Sequence, residues 1–361
     1  MINEIRFINK SRSEFFTTLR QRVDDYFNRN KLKKSGNYQM ILKTIAMLAL
    51  YFVPYGLILS GIFSPWVMFG LAAVMGLGMA GIGLSIMHDA NHGAYSSSPR
   101  INKLVGHTLN LIGGSVFIWK TKHNLFHHAY TNIEGKDEDI NSGGLMRLSP
   151  NTKLRYFHKY QHIYAWFFYS LLTLNVALKE DFMKLHRYNK TGITSQQGYD
   201  PKKELYGLLL AKIVYFGYIL VIPLLLLDIS WWQVLIGFLT MHLISSLTLS
   251  AIFQTAHVVE ETSHPSPDKD GNMKNEWAIH QLRTTADFAK KNSVLSWFIG
   301  GLNFQVEHHL FPKICHIHYK KISDIVKKTA EEYRLKYNSY PSFVSAIASH
   351  TRLLKKLGRN Y

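Results

Sequence analysis

The uncharged stretch TIAMLALYFVPYGLILSGIF, residues 44–63, decides the fold of this chain. It runs for twenty residues without Asp, Glu, Lys or Arg, and after Ser64 a second such run of twenty-three follows at residues 65–87. An α-helix needs roughly 20 apolar residues to cross a bilayer. The two runs therefore predict two transmembrane helices joined by a tight turn.

A second pair of apolar runs predicts a second hairpin. Residues 205–227 are apolar apart from Lys212, whose long side chain can reach the interface near the helix end. Residues 229–259 are uncharged, and we place the span at about 231–256. Neither tight turn carries Lys or Arg, whereas the first forty residues carry nine. By the positive-inside rule, both termini are expected on the cytoplasmic side.

Two shorter apolar segments are predicted to lie in the membrane interface rather than to cross it. Residues 104–119 are only sixteen long and include His107, Asn110 and two glycines. Residues 161–178 begin with a cluster of aromatic side chains, which is typical of helices at the level of the lipid headgroups. Neither segment is counted as a span.

The composition supports a membrane protein and argues against some alternatives. Hydrophobic residues make up 47% of the 361 residues and charged residues only 18%, below the share typical of soluble domains. The net charge is +18, but the basic residues flank the apolar runs, so the pattern favours anionic lipid headgroups over nucleic acid. The single cysteine, Cys315, excludes an intrachain disulfide and a thiolate metal cluster.

Histidines gather in three short motifs near the cytoplasmic ends of the spans. They are HDANH (88–92), HNLFHH (123–128) and QVEHH (305–309), and His257 ends the last span. Two histidines four residues apart lie on one face of a helix, where they can share a metal ion. One such pair is as compatible with hydrogen-bonded core histidines as with ligands. Three motifs on one side of the membrane predict a metal centre.

Topology provides an independent check on this prediction. If only one of the two interfacial segments spanned the membrane, QVEHH would lie across the bilayer from HDANH. Four spans in two hairpins bring all three motifs to one side. We therefore expect an all-α integral membrane protein with four transmembrane helices in two hairpins and a cytoplasmic helical cap that holds a two-metal site.

The predicted chain order has three parts. Residues 1–40 form a basic cytoplasmic segment, residues 41–312 form the membrane domain, and residues 313–361 form a cytoplasmic helical region. The number of imidazoles exceeds what one tetrahedral zinc can use, so two metals are expected. Imidazole ligands suit Zn, Cu, Fe or Ni, and the residues alone leave the metal open.

These motifs resemble the three histidine boxes of membrane-bound fatty acid desaturases, over roughly residues 40 to 320. The stretch NFQVEHHLFP is the most specific part, and Gln305 in place of a histidine resembles the front-end desaturases. The resemblance implies a diiron centre that uses O2 as co-substrate to place a double bond in a long acyl chain. It also implies the iron ligands His88, His92, His123, His127, His128, His257, His308 and His309.

Further residues receive supporting roles by the same resemblance. Gln305 is expected to be a weak or water-mediated ligand, or to orient a histidine. Carboxylates near the boxes could accept hydrogen bonds from imidazole N–H groups, although Asp139 and Glu307 are equally compatible with solvated surface charge. Trp119 could shape a substrate tunnel, while an interfacial anchor is the other interpretation. The expected carboxylate acceptors are Asp89, Asp139, Glu261 and Glu307.

The resemblance also implies partners. No HPGG haem-domain signature occurs in the N-terminal forty residues, so electrons are expected from a separate donor, ferredoxin or a small haem protein. The acyl substrate could be linked to CoA, to a carrier protein or to a lipid. A bacterial inner membrane or the endoplasmic reticulum is the expected location.

Other functions fit part of the pattern. A fatty-acyl hydroxylase or another diiron oxygenase can begin with the same hydrogen abstraction, so the sequence separates it poorly from a desaturase. A bis-histidine haem electron-transfer protein would place facing histidine pairs inside the bundle. A metal transporter would place ligands at mid-membrane, where only His242 fits.

Overall fold

The computed structural model describes residues 5–8 and 13–359. The predicted basic segment 1–40 and C-terminal region 313–361 therefore each include a few positions outside the described residues. The chain divides into two compact units. The first unit comprises Met1–Gly36, Lys122–Ala165 and Ala251–Tyr361, and the second comprises Asn37–Thr121 and Trp166–Ser250.

Four helices of the described chain are long and apolar enough to cross a membrane, which confirms the predicted fold class. They are Tyr38–Leu59, Pro65–His92, Pro201–Leu226 and Trp231–His257. The first begins six residues earlier than the apolar run, because the Asn37 side chain caps it by accepting a hydrogen bond from the Gln39 N–H (2.9 Å). A cytoplasmic placement of the termini stays a prediction.

Two of these long helices contain a π-helical segment. Pro65–Gly81 continues through the π-helix Ile82–Ile86 into Met87–His92. Pro201–Phe216 continues through Gly217–Val221 into Ile222–Leu226. The remaining helices of the second unit are short: Pro99–Gly106, Thr108–Leu111, Val116–Lys120, Leu172–Asn175, Val176–Glu180 (π), Asp181–Lys190 and Ile193–Gln196.

The predicted interfacial segments are broken into short pieces. Residues 104–119 are divided among three helices, with Gly113 in the left-handed region (φ 85°) between the second and the third. Residues 161–178 run through Gln161–Tyr169 and Leu172–Asn175 into a π-helix. Their position relative to a membrane stays a prediction.

A polar network holds the helices of the second unit together around His242. This buried imidazole contacts Thr173 Oγ1 (2.8 Å) through Nδ1 and the Tyr215 hydroxyl (2.7 Å) through Nε2. Lys212 is also buried, and its ammonium donates to the Asp181 carboxylate (2.7 Å) and to the Gly113 carbonyl (2.7 Å). Polar groups inside apolar surroundings need such partners. The network therefore gives His242 a structural role.

The first unit is helical, with two short parallel strand pairs. Arg6–Phe7 pairs with Asn272–Met273, and Asp287–Phe288 pairs with Ser339–Tyr340. Its core is built from Phe15–Arg29, Trp277–Thr284, Gln305–Leu310 and Tyr319–Glu332, whose apolar faces pack together. Its other helices are Thr121–His127 (π), His128–Tyr130, Glu138–Ile140, Tyr156–Tyr160, Ser293–Phe298, His316–His318 and Phe343–Leu357.

The close approach of the first two long helices requires a glycine at position 78. A Cβ added to Gly78 would lie 2.7 Å from the Tyr51 backbone nitrogen and 2.8 Å from the Leu50 carbonyl carbon. Gly70, on the same helix, has no heavy atom within 4 Å of such a Cβ. We expect Gly78→Ala to cost about 1–3 kcal/mol of unfolding free energy through overpacking.

Thermal unfolding of the two variants in detergent tests this packing. Gly70→Ala should unfold at or slightly above the temperature of the unmodified protein, because alanine favours the helix. Equal unfolding temperatures for Gly78→Ala and Gly70→Ala would contradict the close helix contact.

Candidate metal centre

Six of the predicted ligands lie together in the first unit. Each is less than a tenth exposed. One ring nitrogen from each of His127, His257 and His309 lies within 4.8 Å of the others, and the same holds for His128, His308 and His309. The two groups share His309. The sixth, His123, faces His128 with the two Nε2 atoms 3.2 Å apart.

Three local structures present five of these rings, and His128 begins the short helix His128–Tyr130 that follows the first of them. His123 and His127 lie on the π-helix Thr121–His127, and their rings stack with centroids 5.2 Å apart. The wider turn of a π-helix is often found at functional sites. His257 is the last residue of a long helix, and His308 and His309 lie on the helix Gln305–Leu310. Segments distant in sequence therefore contribute neighbouring imidazoles.

Four of the six imidazoles use Nδ1 for a contact with the protein. Carboxylate, amide and carbonyl oxygens only accept, so at His127, His257 and His309 the Nδ1–H donates and Nε2 keeps its lone pair, whereas the Tyr319 hydroxyl beside His308 can donate or accept. The contacts are His127 with Asp137 (3.1 Å), His257 with the Thr284 carbonyl (3.2 Å), His309 with Gln281 Oε1 (2.8 Å) and His308 with the Tyr319 hydroxyl (3.1 Å).

The opposite nitrogens have the properties of metal ligands. Nε2 of His127 and Nε2 of His309 are buried and have no hydrogen-bond partner within the part of the chain that the structure describes. A buried lone pair of this kind is costly unless it is satisfied. A metal ion bound at Nε2, with Nδ1 held by an oxygen, is the usual arrangement of histidine ligands. The donor set therefore fits a metal centre.

The pKa values of two of these rings, His127 and His309, are shifted in opposite directions. Burial lowers the pKa of His127, but the charge of Asp137, its hydrogen bond and the charge of Asp139 outweigh burial and raise that pKa. Burial holds the pKa of His309 well below its ordinary value, and neighbouring histidines lower it further. His309 is therefore neutral at physiological pH, which is the form that binds metals.

His88 and His92 lie together in the second unit. They occupy the helix Met87–His92, which ends at Gly93 in the left-handed region (φ 77°). Their ring centroids are 4.7 Å apart, and the Trp119 ring lies 5.4 Å from His88 and 5.6 Å from His92. Trp119 thus packs on both histidines. Asp89 is buried on the same turn.

The structure places Gln305 beside a predicted ligand. Its side-chain Nε2 is 3.1 Å from His257 Nε2, and both residues are buried. Gln305 Oε1 is buried without a hydrogen-bond partner among the described residues. The amide is therefore close enough to orient His257 or to bind through a water.

The predicted carboxylate acceptors fall in different places. Asp139 lies 3.6 Å from His127 Nδ1 and pairs with Lys122 (2.6 Å). Glu307 accepts a hydrogen bond from the Tyr337 hydroxyl (2.8 Å).

Glu261 is found at the surface in contact with Lys336, and its described contacts include no imidazole. Glu261 lies four positions after His257, but the helix ends at His257, so the two do not share a helical face.

Sequence reasoning missed the groups that hold three of the rings. Asp137 lies in the acidic run DED ten residues after His127, a signal that could have identified it. Gln281 and Tyr319 stand in ordinary helical sequence, and no local pattern marks them. The Asp137 carboxylate also accepts from the backbone N–H of Asn132 (2.8 Å) and so fixes the turn after HNLFHH.

Comparisons with known proteins show which proteins this chain is similar to. The sequence profile of the family described as fatty acid desaturase matches residues 64–341. The sn-1 linoleoyl-lipid 6-desaturase of Synechocystis sp. is 38% identical over 349 residues, which cover 96% of each chain. The protein of the same name from Arthrospira platensis is 35% identical, covering 96% of this chain and 93% of its own.

A plant relative is similar over the same span. The acyl-lipid (8-3)-desaturase of Physcomitrium patens is 34% identical over 356 residues, covering 98% of this chain and 74% of its own.

Removing the Asp137 carboxylate should weaken metal binding. In Asp137→Asn the acceptor charge is lost, so His127 is less basic and less firmly oriented. We expect the affinity for ferrous iron, added anaerobically to the metal-depleted protein, to fall about 10- to 100-fold. Equilibrium dialysis with iron analysis measures this affinity. The exposed Asp324→Asn is the matched control, and equal affinities in the two variants would contradict the role of Asp137.

Proposed function

The chain belongs to the fatty acid desaturase family, and we propose that it is an acyl-lipid desaturase with a diiron centre, dependent on O2 and on a separate electron donor. Membership makes it an oxidoreductase of the membrane. The observation that carries the diiron proposal is the pair of three-histidine groups that share His309, in which four of the five rings contact a protein oxygen through Nδ1.

The proposed iron ligands are the eight histidines implied by the boxes. Six of them form the cluster of the first unit. His88 and His92 are included because the order and spacing of the three boxes match the family. Gln305 is proposed to act as a weak or water-mediated ligand, because its amide lies 3.1 Å from His257 Nε2, the nitrogen that His257 would offer to iron.

The chain's own residues prepare the site in two ways. Oxygen acceptors at Nδ1 hold His127, His257 and His309 each in one tautomer and one orientation. Burial lowers the pKa of His257 and His309 and so favours their neutral, metal-binding form. Iron with O2 would supply the oxidising power that an unactivated methylene pair requires, which side chains lack.

The substrate is proposed to be a fatty acyl chain on a membrane lipid. The three relatives described above are named as lipid-linked acyl desaturases, and all are alike over nearly the whole of this chain. Gln305 at the start of the third box further favours front-end insertion, between an existing double bond and the carboxyl end. The protein's task is then to place one methylene pair beside the histidines, and that placement sets the position of the new bond.

Electron delivery and topology complete the proposal. A net charge of +18 suits an acidic donor, ferredoxin or a small haem protein, through long-range attraction. The absence of Lys and Arg from the tight turns and the basic first forty residues support termini and histidines on the cytoplasmic side, of a bacterial inner membrane or the endoplasmic reticulum.

Lipid analysis of a heterologous host tests the reaction. The protein is expressed in a host that lacks polyunsaturated lipids and is supplied with linoleate, and new double bonds are located by mass spectrometry. We expect a triply unsaturated chain on membrane lipids. A new hydroxyl group in place of the double bond would instead assign a hydroxylase.

Two histidine variants connect that product to the site. His308→Ala should abolish the product, because it removes a ring from one of the three-histidine groups. His186→Ala changes an exposed histidine outside the site and should leave the product unchanged. Full activity of His308→Ala at equal expression would contradict the proposed centre.

A further inference from the structure

Gln281 lies outside the three histidine boxes but contacts two of them. It is fully buried on the helix Trp277–Thr284. Its side-chain Nε2 donates to the backbone carbonyl of His128 (3.1 Å). Its Oε1 lies 2.8 Å from His309 Nδ1 and accepts from the Thr131 hydroxyl (3.0 Å). One amide thus joins the second box to the third.

The partners of this amide leave only one arrangement of its atoms. The His128 carbonyl can only accept a hydrogen bond, so the amide must present its NH2 group there. Oε1 is then the atom that faces His309 and Thr131. Because Oε1 can only accept, His309 must carry its proton on Nδ1, and its lone pair is on Nε2.

His309 is the ring for which this choice matters most. His309 belongs to both three-histidine groups: one contains His127 and His257, and the other contains His128 and His308. Its Nε2 is buried without a hydrogen-bond partner in the described ranges. If the ring carried its proton on Nε2, that nitrogen could not bind a metal.

We propose that Gln281 is a positioning residue for the metal centre. It selects the tautomer of His309 that offers Nε2, and it holds the third box against the second. This inference rests on the proposed function, since it assumes that His309 is an iron ligand.

A purely structural role for Gln281 is the alternative, and Gln161 provides a matched control. Gln161 is also a fully buried glutamine of the first unit. Its side chain bonds the backbone N–H of Arg147 (2.7 Å) and the carbonyls of Arg147 (3.0 Å) and Leu354 (2.8 Å). Among its described contacts none is to a histidine of the centre. Gln161→Leu therefore removes a buried amide clamp without affecting His309.

The experiment compares Gln281→Leu with Gln161→Leu in the full-length protein. Two quantities are measured: the unfolding temperature of the metal-depleted protein, and ferrous iron bound after anaerobic addition. We expect both variants to lower the unfolding temperature. Only Gln281→Leu should weaken iron binding, about 10- to 100-fold relative to the unmodified protein. If Gln281→Leu binds iron as tightly as Gln161→Leu, the inference is wrong.

Gln281→Glu separates positioning from stability. A glutamate still accepts from His309 Nδ1 but cannot donate to the His128 carbonyl, and it adds a buried charge. We expect it to be less stable than the unmodified protein yet to bind iron more tightly than Gln281→Leu. Iron affinity that simply follows stability across the three variants would overturn the inference.

Iron binding by the unmodified protein separates failure of the proposed function from failure of the role of Gln281. If it binds no iron under these conditions, the proposed function fails. If it binds iron and Gln281→Leu binds iron equally well, only the role of Gln281 fails.

Discussion

An imidazole ring has two nitrogens. In four histidines of this protein Nδ1 contacts an oxygen of the chain, which leaves Nε2 as the nitrogen that can bind a metal. The pairing of Nδ1 with an oxygen recurs at His127, His257, His308 and His309. At His127, His257 and His309 the oxygen can only accept, so the contact fixes the tautomer, the ring plane and the direction of Nε2. Without these contacts, the four buried rings would be costly polar groups in a packed interior.

The backbone around the histidines is arranged to bring distant segments together. Two of the three boxes adjoin or include π-helical turns: Ile82–Ile86 precedes His88, and Thr121–His127 contains His123 and His127. A π-turn changes the direction in which the following side chains point, because it inserts an extra residue into the helix.

The long helices and the histidine motifs could be predicted from sequence because both are local patterns. Twenty uncharged residues are enough to indicate a span, and spacing alone indicates ligand pairs. The helix ends were less predictable: the cap at Asn37 moves the first helix six residues earlier. The expected role of Glu261 stays a prediction, since its described contact is with Lys336. Gln281 could not be found, because its contacts join residues 150 and 28 positions away and no local pattern encodes them.

The most direct measurement of the centre is the iron content of the purified protein combined with X-ray absorption at the iron edge. A centre built by these histidines predicts about two irons per chain with nitrogen ligands of imidazole type. An active protein that holds no iron, or iron bound mainly through sulfur, would contradict it.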